Sequence, residues 1–225
     1  MTVLALAPAK NTKAADASGA FIPETRSFVA QHQPSALLLF DNGTPSAPVP
    51  YAARMEQCER WLAEWTGVRA LALFSHGWRD GVQAGWRKGD IWRLAKALKA
   101  CCVPEPVVAL YCCDAGRDGD ADREDDRASG PGGEGGFADM LRHELVRIGV
   151  RGTIFAHTTE GHTTCNPFVR VFRPDEVAGG EWLVEPRSPM WRAWRRALAT
   201  TDLRMRFPFM SQAEVHAELA APRVG

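Results

Sequence analysis

The strongest constraint on this chain is a repeated pattern of short apolar runs that end in glycine-containing turns, separated by segments of helical periodicity. Arg69-Ala-Leu-Ala-Leu-Phe-Ser75 leads into His76-Gly77, and Pro106-Val-Val-Ala-Leu-Tyr111 leads into Cys112-Cys113-Asp114-Ala115-Gly116. Runs of this length bounded by turn residues read as buried strands. Further runs at 36–40, 151–157, 168–172 and 182–185 read the same way. Helices are expected over 24–33, 52–66, 90–101, 137–148, 189–199 and 211–220. Strands that alternate with helices predict an α/β fold with a mostly parallel sheet of about six strands and helices on both faces, in three α/β/α layers.

The 225 residues suffice for one α/β domain with a full core. Residues 1–22, rich in Ala, Lys, Thr, Asp and Gly, are expected to form a mobile N-terminal tail ahead of a single domain over 23–225. Lys plus Arg and Asp plus Glu both number 27, so no global field favours nucleic acid or an anionic membrane. No apolar run approaches the length of a membrane span. The first ten residues lack the basic region of a secretory signal. Six cysteines at positions 58, 101, 102, 112, 113 and 165 form no disulfide framework, which points to a reducing, cytoplasmic setting.

The two strand ends at His76 and Cys112-Cys113 carry the chemistry. Open α/β sheets place their sites at the carboxyl edge. A resting thiol is mostly protonated at neutral pH and needs a base, for which imidazole is the usual choice. His76 and Cys113 can therefore act as a dyad, with the N–H groups of Gly77 and Cys113 binding an oxyanion. Successive strand residues point to opposite faces, so Cys112 and Cys113 cannot both serve. Cys113 abuts the turn and is the expected nucleophile, with Cys112 as the alternative.

This order of strand, His76-Gly77, helix, strand and Cys113 resembles the caspase-like cysteine peptidases, a group that includes caspases, metacaspases, gingipains, separases and bacterial CHAT-type proteases. The resemblance covers roughly residues 34–175 and rests on strand order and two short motifs. It implies a caspase-like sheet, His76 as catalytic histidine, Cys113 as nucleophile, a protein or peptide substrate, and no cofactor. The chain lacks the Gln-Ala-Cys signature of the caspases themselves. In the resembled group the specificity pocket is lined from the end of the first strand and from around the nucleophile, where this chain has Asp41 and Asp114. Acidic groups there would favour Lys or Arg at the cleaved position. Asp41-Asn42-Gly43 also reads simply as a turn.

Three other segments carry expectations. His157-Thr-Thr-Glu-Gly-His162-Thr-Thr-Cys165-Asn166-Pro167 follows a strand. Its His157 and His162 would line the cleft and touch substrate under the peptidase reading, or serve a zinc-dependent hydrolase with Cys165. Residues 117–136 combine an acidic run with a glycine cluster and read as a flexible surface loop, open to processing or to a regulatory protein partner. Arg187 to Arg196 mixes Trp and Arg, which suits contact with nucleic acid or a partner, or a solvated helix face. No Gly-x-Ser-x-Gly elbow, phosphate-binding Gly-Lys loop or dinucleotide fingerprint opens a helix. The remaining alternative is an inactive interaction module on the same fold.

Overall fold

The computed structural model describes residues 1–10, 21–120, 129–161 and 164–221. Its centre is one sheet of seven strands: β1 (Thr2–Pro8), β2 (Ser35–Phe40), β5 (Val68–Phe74), β8 (Cys102–Tyr111), β9 (Thr153–His157), β10 (Val169–Phe172) and β11 (Glu181–Trp182). They lie in the order β11-β10-β9-β8-β5-β1-β2. The five from β2 to β9 in that order are parallel, while β10 and β11 each run antiparallel to the strand before. Two small hairpins stand apart, β3 (Gly43–Thr44) with β4 (Ala47–Pro48), and β6 (Gly77–Trp78) with β7 (Gly81–Val82).

The seventh strand is β1, which corrects the expectation of a mobile tail. Val3-Leu-Ala-Leu-Ala7 pairs in parallel with Ala70-Leu-Ala-Leu-Phe74 of β5, Val3 opposite Ala70 and Leu6 opposite Leu73. It is buried between β5 and β2, and a strand covered on both faces must be apolar throughout. The polar residues that follow it masked the run when the segment was averaged as a whole. Residues 11–20 lie outside the described residues.

Alternation along these strands builds two different cores. Leu4, Leu6, Leu71, Leu73, Val108 and Leu110 face α2 (Tyr51–Leu62), α3 (Ile91–Cys101) and α4 (Phe137–Arg147). Ala5, Ala7, Ala70, Ala72 and Ala109 face the other way, against α1 (Phe21–Gln31), α5 (Trp191–Ala199), α6 (Thr201–Arg206) and α7 (Gln212–Ala220). Small side chains on that face leave room for Phe21, Phe28, Trp194 and Phe207, so large groups on the helices meet small ones on the sheet. The result is a three-layer α/β/α arrangement. Among the described residues no helix is long and apolar enough to cross a membrane.

The end of the acidic segment is also corrected. Residues 121–128 lie outside the described residues, but 130–136 are packed. Gly130 N–H donates to Glu185 Oε1 at 2.9 Å, and Arg170 Nη1 donates to Gly130 O at 3.1 Å. Asp139 accepts the N–H groups of Gly135 (2.9 Å) and Gly179 (3.1 Å). A Cβ would lie 1.9 Å from Arg117 O on Gly136 and 2.5 Å from Gly116 O on Gly133, so these two glycines serve close backbone approach.

Candidate active site

The site is built at the carboxyl ends of β5 and β8. These strands are in register through Phe74 and Tyr111, whose rings stack at 4.5 Å on the α1 side of the sheet. One residue on, Ser75 and Cys112 turn to the opposite side, where Ser75 Oγ and Cys112 Sγ are 3.4 Å apart. One residue further, His76 returns to the α1 side, while Cys113 meets the loop after β9, whose Gly161 N–H reaches its sulfur. The His76 ring meets Phe21 of α1 edge to face, with centroids 5.2 Å apart. The chain passes from β1 to β2 on one side and then crosses back to β5 on the other side of β1, so His76 stands beside the point where the strand order reverses. Crevices form at such points.

The two sulfurs occupy opposite environments. Cys112 is wholly buried, its Sγ between the Ser75 hydroxyl and the Leu73 carbonyl oxygen at 3.4 Å. Burial pushes its thiol up to about 12. Cys113 is only partly buried, and the Gly161 N–H donates to its Sγ at 3.3 Å. Its thiol is also raised, first by burial and then by the Asp114 and Glu160 carboxylates, with the Gly161 N–H opposing.

His76 is held through its backbone. Its N–H donates to Gln83 Oε1 at 3.3 Å, and its carbonyl accepts from the Gln83 N–H at 2.9 Å and the Ser75 hydroxyl at 2.9 Å. Buried Arg54 donates to the carbonyls of Gln83 (3.1 Å), Val49 (2.8 Å) and Asn42 (3.3 Å), tying the loops that follow β2 and β7 together. Gln83 and Arg54 have no signal in the sequence. Gln83 stands in a glycine- and tryptophan-rich loop, and Arg54 reads as one more polar position on an amphipathic helix.

Gly77 packs on the neighbouring strand end. A Cβ there would lie 2.7 Å from both Cys112 Cβ and Cys113 O, closer than side chains tolerate. The glycine is therefore what lets the His76 and Cys113 segments run side by side. Beyond Cys113 the chain turns sharply. Asp114 takes φ +56, rare for a residue with a side chain. The turn is pinned by Gly116 N–H on His157 O (2.7 Å) and Ala138 N–H on Ala115 O (2.9 Å). Burial raises the Asp114 carboxyl despite Arg117 and Arg79 nearby.

The other expected residues divide. Asp41 ends β2, two strands beyond β5, so about 14 Å of sheet separates it from Cys113 at ~4.8 Å per strand. Its Oδ1 accepts the Gly43 N–H at 2.9 Å, an Asx turn, so the turn reading describes it and it is not brought to the sulfur. His157 is buried with its ring 5.7 Å from Tyr111, so its imidazole belongs to the core rather than to an open cleft. His162 lies outside the described residues. Cys165 is exposed, and its Sγ accepts from Arg204 Nη1 at 3.1 Å. Among the described residues no three His, Cys, Asp or Glu side chains gather as metal ligands.

The loop after β9 touches the site through its backbone. Gly161 reaches the Cys113 sulfur, and Asn166 Nδ2 donates to Gly161 O at 2.7 Å. Thr164 anchors the loop on α1, its N–H donating to Glu24 Oε1 at 2.8 Å and its hydroxyl to the same oxygen. Comparison with protein families, characterised proteins and solved structures finds no match for this chain.

Proposed function

We propose that the chain is a cysteine endopeptidase of caspase-like fold with a His76/Cys113 dyad. One observation carries the reading. His76 and Cys113 follow neighbouring, in-register parallel strands, with Gly77 packed on the Cys112–Cys113 peptide. The chemistry follows from those groups. His76 takes the proton from Cys113 Sγ as the sulfur adds to the substrate carbonyl carbon. The N–H groups of Gly77 and Cys113 bind the resulting oxyanion, and losing one such donor costs about 2.7–4 kcal/mol of transition-state stabilisation. The C–N bond then breaks and His76 returns the proton to the leaving amine. Water attacks the thioester, giving its proton to His76 and releasing the acid and the free thiol. Asp114, next to the sulfur, would favour Lys or Arg at the cleaved position.

A second reading, an inactive interaction module, is favoured by one observation: burial and the Asp114 and Glu160 carboxylates hold the Cys113 thiol up. A zinc-dependent hydrolase draws no support from a core histidine at position 157. The experiment that separates them is cleavage of a mixed peptide library by the wild type, Cys113→Ala and Cys112→Ala. The dyad predicts products from the wild type and Cys112→Ala and none from Cys113→Ala. Products from Cys113→Ala would overturn it, and none from any of the three would favour the module.

A further inference from the structure

The Trp- and Arg-rich segment is not absorbed by the dyad. From Arg187 to Thr201 the chain contains no Asp or Glu, and Arg187, Arg192, Arg195 and Arg196 are all exposed. Among the described residues none of the four has an ion-pair partner. In a chain with equal numbers of acidic and basic residues, this is a local cationic face. It adjoins a pocket of about 450 Å³ lined by Cys165, Pro167, Phe168, Trp191 and Arg195. The Phe168 and Trp191 rings are tilted at 51° with centroids 5.0 Å apart, giving the pocket an aromatic wall beside a guanidinium.

The pocket is joined to the candidate nucleophile by one short loop. Gly161 donates to Cys113 Sγ, Asn166 donates to Gly161 O, and the Pro167 carbonyl accepts from Trp194 Nε1 of α5 at 2.9 Å. The loop therefore touches the sulfur at one end and forms the pocket wall at the other. The pocket's Trp191 packs against the core on the α1 and α5 side of the sheet.

We propose that this pocket and the arginine face of α5 form a substrate-recognition site for an acidic stretch of polypeptide flanking the cleaved bond. Carboxylates pair with Arg192 and Arg195, and an apolar or aromatic side chain enters against Phe168 and Trp191. Guanidinium groups pair with carboxylates through two parallel hydrogen bonds, and the aromatic wall supplies apolar contact that a bare polyanion does not use. The role in catalysis rests on the peptidase reading, but binding does not depend on it.

The test uses the full chain carrying Cys113→Ala, so that bound peptide is not consumed. Two fluorescein-labelled peptides are titrated by anisotropy, one with four Glu around a Phe and one with four Lys in their place. The acidic peptide should bind at least about tenfold more tightly, and less so as salt rises. Arg192→Glu with Arg195→Glu should reverse the order, a gain for the Lys peptide that a misfolded protein would not show. Equal binding, an unreversed order, or displacement of the acidic peptide by a single-stranded oligonucleotide at equal affinity would overturn the proposal. A chain that cleaves nothing yet shows the reversal removes the dyad and keeps this site. A chain that cleaves both peptides equally and shows no reversal removes this site alone.

Discussion

Cys112 and Cys113 are the same residue type one peptide bond apart, yet they belong to different regions of the molecule. Cys112 lies on the face packed by α2, α3 and α4, sealed between Ser75 and Leu73. Cys113 lies outside that core, partly open, with the Gly161 N–H on its sulfur. Alternation continues from Tyr111 to Cys112, and the turn at Asp114 then leaves Cys113 partly open. It teaches that a reactive pair at a strand end is sorted by parity. Ser75 goes with Cys112 and His76 goes with Cys113, because β5 and β8 are in register up to Phe74 and Tyr111.

Each way of breaking this comparison has an expected size. Cys113→Ala should lower peptide cleavage by at least about a thousandfold, while Cys112→Ala should leave the rate within a few fold. Cys112→Ala should instead appear in stability, costing about 1–2 kcal/mol in chemical denaturation, because it opens a small void in a closed core. Gly77→Ala forces a Cβ against both strand ends and should cost about 1–3 kcal/mol, measured the same way, with loss of cleavage. A Gly77→Ala protein as stable as the wild type would mean that the two ends are not locked together.

Smaller effects sharpen the electrostatics of the open side. The Asp114 carboxylate raises the Cys113 thiol, so Asp114→Asn should speed iodoacetamide labelling of Cys113 at pH 8 by about two- to fivefold. Labelling of Cys112 should stay slow in both proteins. Glu24, which anchors the loop beside Cys113, has its carboxyl raised above 4.5 by burial. The folded chain therefore holds that proton more tightly than the unfolded one. The stability this gives is fully present below pH 4.5 and is lost as pH rises through the folded value. Glu24→Gln should flatten that part of the stability profile in denaturant titrations. An unchanged slope would separate Glu24 from it.

Much of this arrangement is legible from the residues. The runs ending at His76 and Cys113 identify neighbouring strands, because apolar length, flanking glycine and an intervening helix all agree. The strand at Thr2–Pro8 is hidden by the polar residues after it, although Val3-Leu-Ala-Leu-Ala7 nearly repeats Ala70-Leu-Ala-Leu-Phe74, its partner in the sheet. A composition averaged over twenty residues erased a seven-residue signal. The glycines of 130–136 read as flexible because sequence shows the freedom of a glycine but not the backbone packed against it. Asp41 was linked to the nucleophile through the end of its strand, and only the lateral order β2-β1-β5-β8 shows the distance between them. Gln83 and Arg54 act through side-chain bonds to backbone, one at His76 N–H and three at carbonyls, which leave no pattern in the sequence.

The central claim is that His76 and Cys113 form one unit while Cys112 stands apart. Its most direct test is covalent labelling by a peptidyl chloromethyl ketone, with the adduct located by mass spectrometry in the wild type and in His76→Ala. The dyad predicts an adduct on Cys113 alone, reduced at least about a hundredfold in rate by His76→Ala. An adduct on Cys112, or labelling of Cys113 at the same rate without His76, would contradict it.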